Sequence, residues 1–131
     1  MRAQNENYRP DELAARSRPI ELLTENGFSI IRSWEIDGVP PPATGGFRFR
    51  VRNAESAERE IIVQISRATL ESIRLETHGR LTPGNSFWIS CAERHLATHL
   101  WEKGDYPPGD KILIEQLDPD DLISAIRWRT S

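Results

Sequence analysis

Residues Phe47 to Arg52 read "FRFRVR", and after a polar turn, "AESAE", residues Glu60 to Ser66 read "EIIVQIS". Side chains alternate sides along a strand, so Phe47, Phe49 and Val51 point one way and Arg48, Arg50 and Arg52 the other. Pairing the two runs puts Ile61, Val63 and Ile65 on the apolar face only if paired residue numbers sum to an even value such as 112. That register sets Arg52 against Glu60, Arg50 against Ile62 and Arg48 against Gln64. A slip by one would oppose Arg52 to Arg59, like charge against like.

Upstream, "FSIIRSWEI" carries apolar residues at Phe28, Ile30, Trp34 and Ile36, which predicts a half-buried strand. Arg32 interrupts its apolar face and needs a bulge or a charged partner there. The following "DGVPPPATGG" is a loop, because consecutive prolines cannot join a helix or a ladder. Nearer the N-terminus, "PDELAAR" and "PIELLTEN" predict two short helices, the second with Pro19 in its first turn and Gly27 as its stop. Residues 1–9 are polar and patternless, a mobile arm ahead of a single globular domain spanning 10–131.

Downstream, Ser66 caps a helix over "RATLESIRLETH", stopped by Gly79, although its apolar spacing also permits a strand. A longer helix follows. Asn85 or Ser86 can start it, but Ser90 and Glu93 form the stronger capping box, and Lys103 and Gly104 end it. "KILIEQL" is a fourth strand, apolar on both faces and therefore expected at the centre of the sheet. In "DPDDLISAIRWR" Asp118 caps a last helix, Asp120 and Asp121 complement its dipole, and Leu122 and Ile126 face inward. The order predicts an α+β fold: a mostly antiparallel sheet of about four strands with helices packed against one face.

The 131 residues carry a net charge of −3 and a single cysteine, Cys91. No apolar run reaches the roughly 18–20 residues that span a bilayer, the first residues lack a signal-peptide core, and one cysteine cannot form an internal disulfide. A cytoplasmic, soluble protein is expected. No phosphate-binding glycine loop, nucleophile elbow or cysteine pair occurs.

Two features carry chemical interest. In "CAERHLATHLWEKG", Cys91, His95 and His99 are spaced four apart, close enough on a helix for neighbouring pairs to share a metal. Leu96 stands where a metalloprotease helix needs glutamate, and Cys91 lies about 12 Å along the axis from His99. A metal would therefore require a ligand from another element, and the remaining histidine, His78, precedes a helix stop. A thiol hydrolase would use Cys91 at the helix start with a histidine from a later strand, and none follows His99. Packing is the expected role of all three, and no cofactor, metal or catalytic residue is expected.

The second feature is the arginine row. Guanidinium groups about 6.8 Å apart on one strand face repel one another unless acids or a ligand lie over them. Arg48, Arg50 and Arg52 are thus the candidate partner-binding residues of a small non-enzymatic binding or accessory protein, its partner a protein with an acidic surface. The alternative is nucleic-acid binding through the same three residues, which the acidic isoelectric point disfavours. A weaker alternative is a small hydrolase using Cys91 or a metal at His95 and His99. No membrane association is expected, and the oligomeric state is left open.

Overall fold

Among the described residues five strands lie side by side in chain order, and the sheet they form is mixed. The structure, a computed structural model, describes residues 21–41 and 44–129; the expected arm over 1–9 and the "PDELAAR" helix lie outside them. The strands are β1 (Glu21–Leu23), β2 (Ser29–Arg32), β3 (Gly46–Arg52), β4 (Glu58–Ile65) and β5 (Lys111–Ile114). The first four form an antiparallel meander, and β5 runs parallel to β4. Parallel neighbours need a long crossover, supplied by helices α2 (Arg67–Glu76) and α3 (Ser86–Lys103). A short helix α1 (Ser33–Asp37) follows β2, and α4 (Pro119–Ile126) closes the described chain together with a turn of 3-10 helix at Arg127–Arg129. The fold is α+β, as the sequence predicts.

The β3–β4 pair keeps the predicted parity but not the predicted sum. Phe47 opposes Val63, Arg50 opposes Glu60 and Arg52 opposes Glu58, two residues tighter than the expected register. The cause is the turn. Asn53 accepts the amides of Glu55 at 3.0 Å and Ala57 at 2.9 Å through its side-chain oxygen, and Ser56 takes a positive φ of 67°. This Asx turn closes the hairpin early, and an even shift leaves every side chain on its intended face. Phe49, Val51, Ile61, Val63 and Ile65 are wholly buried, each worth about 1.5–3 kcal/mol of transfer free energy. They meet Leu70 and Ile73 of α2 and Trp88, Ala92, Leu96 and Leu100 of α3.

Four expectations need correction. The "PIELLTEN" helix is absent where described: Glu21–Leu23 is a strand, which raises the count to five. Thr24 and Gly27 make a tight turn there, with the Phe28 amide bonded to the Thr24 hydroxyl at 3.0 Å, so Leu22 pairs with Ile30 and tertiary pairing overrides helix propensity. The "FSIIRSWEI" strand stops at Arg32. Ser33–Asp37 turns helical and ends on Gly38 at φ 76°, which lets Trp34 pack its ring 5.5 Å from that of Phe49 and 6.0 Å from that of Phe47. Arg32 has the charged partner it needs, with two hydrogen bonds to Glu93 of α3 at 3.0 and 3.1 Å. β5 lies at the sheet edge, not its centre; Leu113 is 53% exposed because nothing described covers that face.

The fourth correction concerns the last helices. α3 starts at Ser86, capped by Asn85, whose side-chain oxygen accepts the Phe87 amide at 2.8 Å. Ser90 is therefore interior, and Glu93 serves Arg32 instead of a capping box. Trp88 is fully buried within the core. In α4 Asp118 caps as predicted, accepting the Asp121 amide at 2.9 Å. The helix is nonetheless rotated from its expected setting. Asp121 and Ala125 are buried while Leu122 and Ile126 are half exposed.

Candidate functional site

Strand alternation places Arg48, Arg50 and Arg52 on the sheet face opposite α2 and α3, as expected. The tighter register surrounds them with more acid than the sequence reading allowed. Arg48 lies 3.7 Å from Glu60, and Arg50 lies 3.7 Å from Glu58 and 3.8 Å from Asp37 of α1. Among the described residues Arg52, though opposite Glu58, has no carboxylate within ion-pair reach. These contacts are long and solvated, with the Arg48 side chain 67% exposed, so each is worth about 0–1 kcal/mol. Beside the row, the loop Val39–Pro41 and Trp34 wall a cleft of about 520 Å³ floored by Arg48, Ile62 and Gln64. Val39, Pro40 and Pro41 thus line the same cleft as Arg48.

The second locus joins α3 to α4. Cys91 and His95, one turn apart, meet Asp121, and a sulfur, an imidazole nitrogen and a carboxylate oxygen come within 4.8 Å of one another. His95 Nε2 is 2.7 Å from Asp121 Oδ2 and 3.8 Å from Asp118 Oδ2. The other Asp121 oxygen, Oδ1, faces the Arg94 guanidinium as an ion pair and accepts no hydrogen bond of regular geometry. Asp121 is fully buried, Cys91 nearly so and His95 half-buried. The cluster leaves out His99, while His78 sits exposed at the end of α2 with φ 55°.

Asp121 is the residue the sequence reading missed. Its sequence setting is that of a first-turn acid, and the amphipathic pattern of α4 turns Leu122 and Ile126 inward. No local signal opposes that pattern. Only the cation and imidazole presented by Arg94 and His95, on a different helix, pull Asp121 into the interior.

The electrostatics of the cluster do not favour nucleophilic chemistry. Burial pushes the Cys91 thiol up to about 11, against the lowering effect of Arg94 and with some reinforcement from Asp118. A neutral, enclosed thiol is a poor nucleophile. Burial also lowers His95 below the ordinary imidazole value, opposed by Asp118 and aided by Arg94. Cys91 does not open its helix, so the dipole offers no compensation.

No protein-family model, curated protein or solved structure matches this chain. Among the described residues no helix is long and apolar enough to cross a membrane.

Proposed function

We propose that this chain is a non-enzymatic binding protein that docks an acidic protein segment on the sheet face opposite α2 and α3. The observation that carries this reading is the row Arg48, Arg50, Arg52, which no described element covers, beside a cleft with apolar walls. The ion pairs of Arg48 to Glu60 and of Arg50 to Glu58 and Asp37 are long, at 3.7–3.8 Å, and leave both guanidinium groups with donors to spare. Among the described residues Arg52 has no carboxylate partner and can take a new one, and Arg48 can exchange one weak partner for another. Planar guanidinium forks suit bidentate carboxylate recognition, and Trp34, Pro40 and Ile62 at the cleft offer an apolar neighbour for the same segment.

A nucleic-acid backbone fits this face less well. Glu58 and Glu60 stand opposite Arg52 and Arg50 at the roughly 4.8 Å strand spacing, so a line of phosphates would meet carboxylates beside two of the three arginines. A protein segment can place its own cations there. The lone cysteine, reduced inside the core, suits a reducing compartment, and we assign the protein to the cytoplasm.

The test is comparative capture. Wild-type protein and the Arg48→Gln/Arg50→Gln/Arg52→Gln variant are each used as bait in native lysate, with and without nuclease. A protein retained by the wild type after nuclease, released by moderate salt and absent from the variant supports the reading. A partner lost on nuclease treatment, or held equally by both baits, overturns it.

A further inference from the structure

The cluster at the α3–α4 junction has the composition of a transition-metal site. We propose that Cys91, His95 and Asp121 bind a divalent transition metal, zinc by preference, with Asp118 or a water completing the shell. A sulfur, a nitrogen and a carboxylate oxygen form a donor set that zinc accepts in tetrahedral geometry. The spacing needed is near at hand: the three donor atoms already lie within 4.8 Å of one another, and bonds of about 2.0–2.3 Å to a central ion require only small rotations. Two ligands one helical turn apart require a third from another element to hold a metal. Asp121 is that third ligand.

The surroundings match. Asp118 uses Oδ1 to cap α4 and keeps Oδ2, 3.8 Å from His95 Nε2, for coordination. Arg94 holds Asp121 Oδ1, leaving Oδ2 for the metal, as outer-shell partners of ligating carboxylates do. Charge balances as well. The Cys91 thiolate and the carboxylates of Asp118 and Asp121 offset zinc and the Arg94 guanidinium. On binding, the thiol proton passes to solvent as the sulfur–metal bond forms. His95 stays neutral, its ring proton moving to Nδ1 so that Nε2 takes the place it now gives to the hydrogen bond with Asp121.

Full-length protein, free of any affinity tag and stripped by chelator, is titrated with cobalt(II) as the optical probe, then with zinc. Saturation at one cobalt per chain, an intense near-ultraviolet sulfur-to-cobalt band and its loss on adding zinc are expected. The band should vanish in Cys91→Ser, and affinity should fall tenfold or more in Asp121→Asn, while His78→Ala/His99→Ala should leave both unchanged. Circular dichroism of each stripped variant checks that it folds. X-ray absorption at the zinc edge of the wild-type protein needs no variant and should find one sulfur among nitrogen and oxygen neighbours. Absence of saturable binding, a zinc shell without sulfur, or binding that survives Cys91→Ser and depends on His78 or His99 would overturn the site.

Discussion

Two regions of this molecule pair an arginine with a carboxylate and differ in how far water reaches the pair. At the α3–α4 junction Arg94 meets a carboxylate with no solvent exposure. On the open sheet Arg48 meets Glu60 with both side chains well exposed. Water reaches both partners of the second pair but only the Arg94 side of the first, so the pairing is structural in one place and exchangeable in the other. A charge held by a buried partner fixes how helices dock. A charge held by an exposed one remains available to something else.

The largest expected effect tests that contrast directly. Arg94→Met keeps length and removes charge, leaving the Asp121 carboxylate buried with only half-buried His95 beside it. Breaking a buried pair costs about 3–5 kcal/mol, and the partial exposure of Arg94 argues for the lower end, about 3 kcal/mol. Arg48→Met should change stability by no more than about 0.5 kcal/mol. Urea unfolding in the presence of chelator measures both. Adding Asp121→Asn to Arg94→Met should recover part of the loss, since the orphaned charge goes with it. Equal costs for Arg94→Met and Arg48→Met would abolish the distinction.

Helix rotation gives the next test. Ala125 is buried against the core while Leu122 and Ile126 are half exposed, the reverse of what the amphipathic pattern implies. Ala125→Leu should overpack the junction and cost about 1–3 kcal/mol, whereas Leu122→Gln should stay within about 1 kcal/mol. If Leu122→Gln were the more damaging, α4 would sit in its sequence-expected orientation, and Asp121 would not reach His95.

A pH experiment isolates Cys91. Its thiol ordinarily ionises near 9.0, and burial raises it to about 11 in the folded protein. The unfolded chain therefore loses the proton first as pH rises. The stabilising contribution is complete below pH 9 and is lost as pH climbs toward 11, by up to about 2 kcal/mol. With chelator present, the wild type should fall off faster over that window than Cys91→Ala, whose curve lacks this component. Parallel curves would mean that the thiol ionises freely. Alkylation of the native protein should likewise be slow until denaturant is added.

These contrasts also mark what the chain reveals unaided. The β3–β4 hairpin was legible because period-two alternation over Phe47–Arg52 survives any even slip, even though the Asn53 turn moved the register by two. Ser66, Asp118 and Gly104 were legible because caps are local chemistry. β1 was not: nothing in "ELL" says strand until Leu22 finds Ile30. The edge position of β5 was hidden because two apolar faces look the same whether the outer one is covered or bare. Asp121 was hidden for a related reason. Its burial depends on Arg94 and His95 across a helix interface, and helix periodicity carries no information about who stands opposite.

The smallest effects should lie within the arginine row and should be graded. Arg50 is only 33% exposed and touches two acids, Glu58 and Asp37; Arg48 is more exposed and touches one; Arg52 has none among the described residues. If exposed ion pairs alone matter here, Arg50→Gln should cost the most, though less than about 1 kcal/mol. Arg48→Gln should cost less. Arg52→Gln should be neutral or slightly stabilising, because it relieves repulsion from Arg50 without breaking a pair. Raising the salt concentration should compress the three values toward one another, since screening weakens attraction and repulsion alike. Denaturation midpoints at low and high salt give the comparison. An Arg52→Gln cost equal to that of Arg50→Gln would reveal a carboxylate already seated on Arg52, and the face would then be an intramolecular contact rather than one held open for a partner.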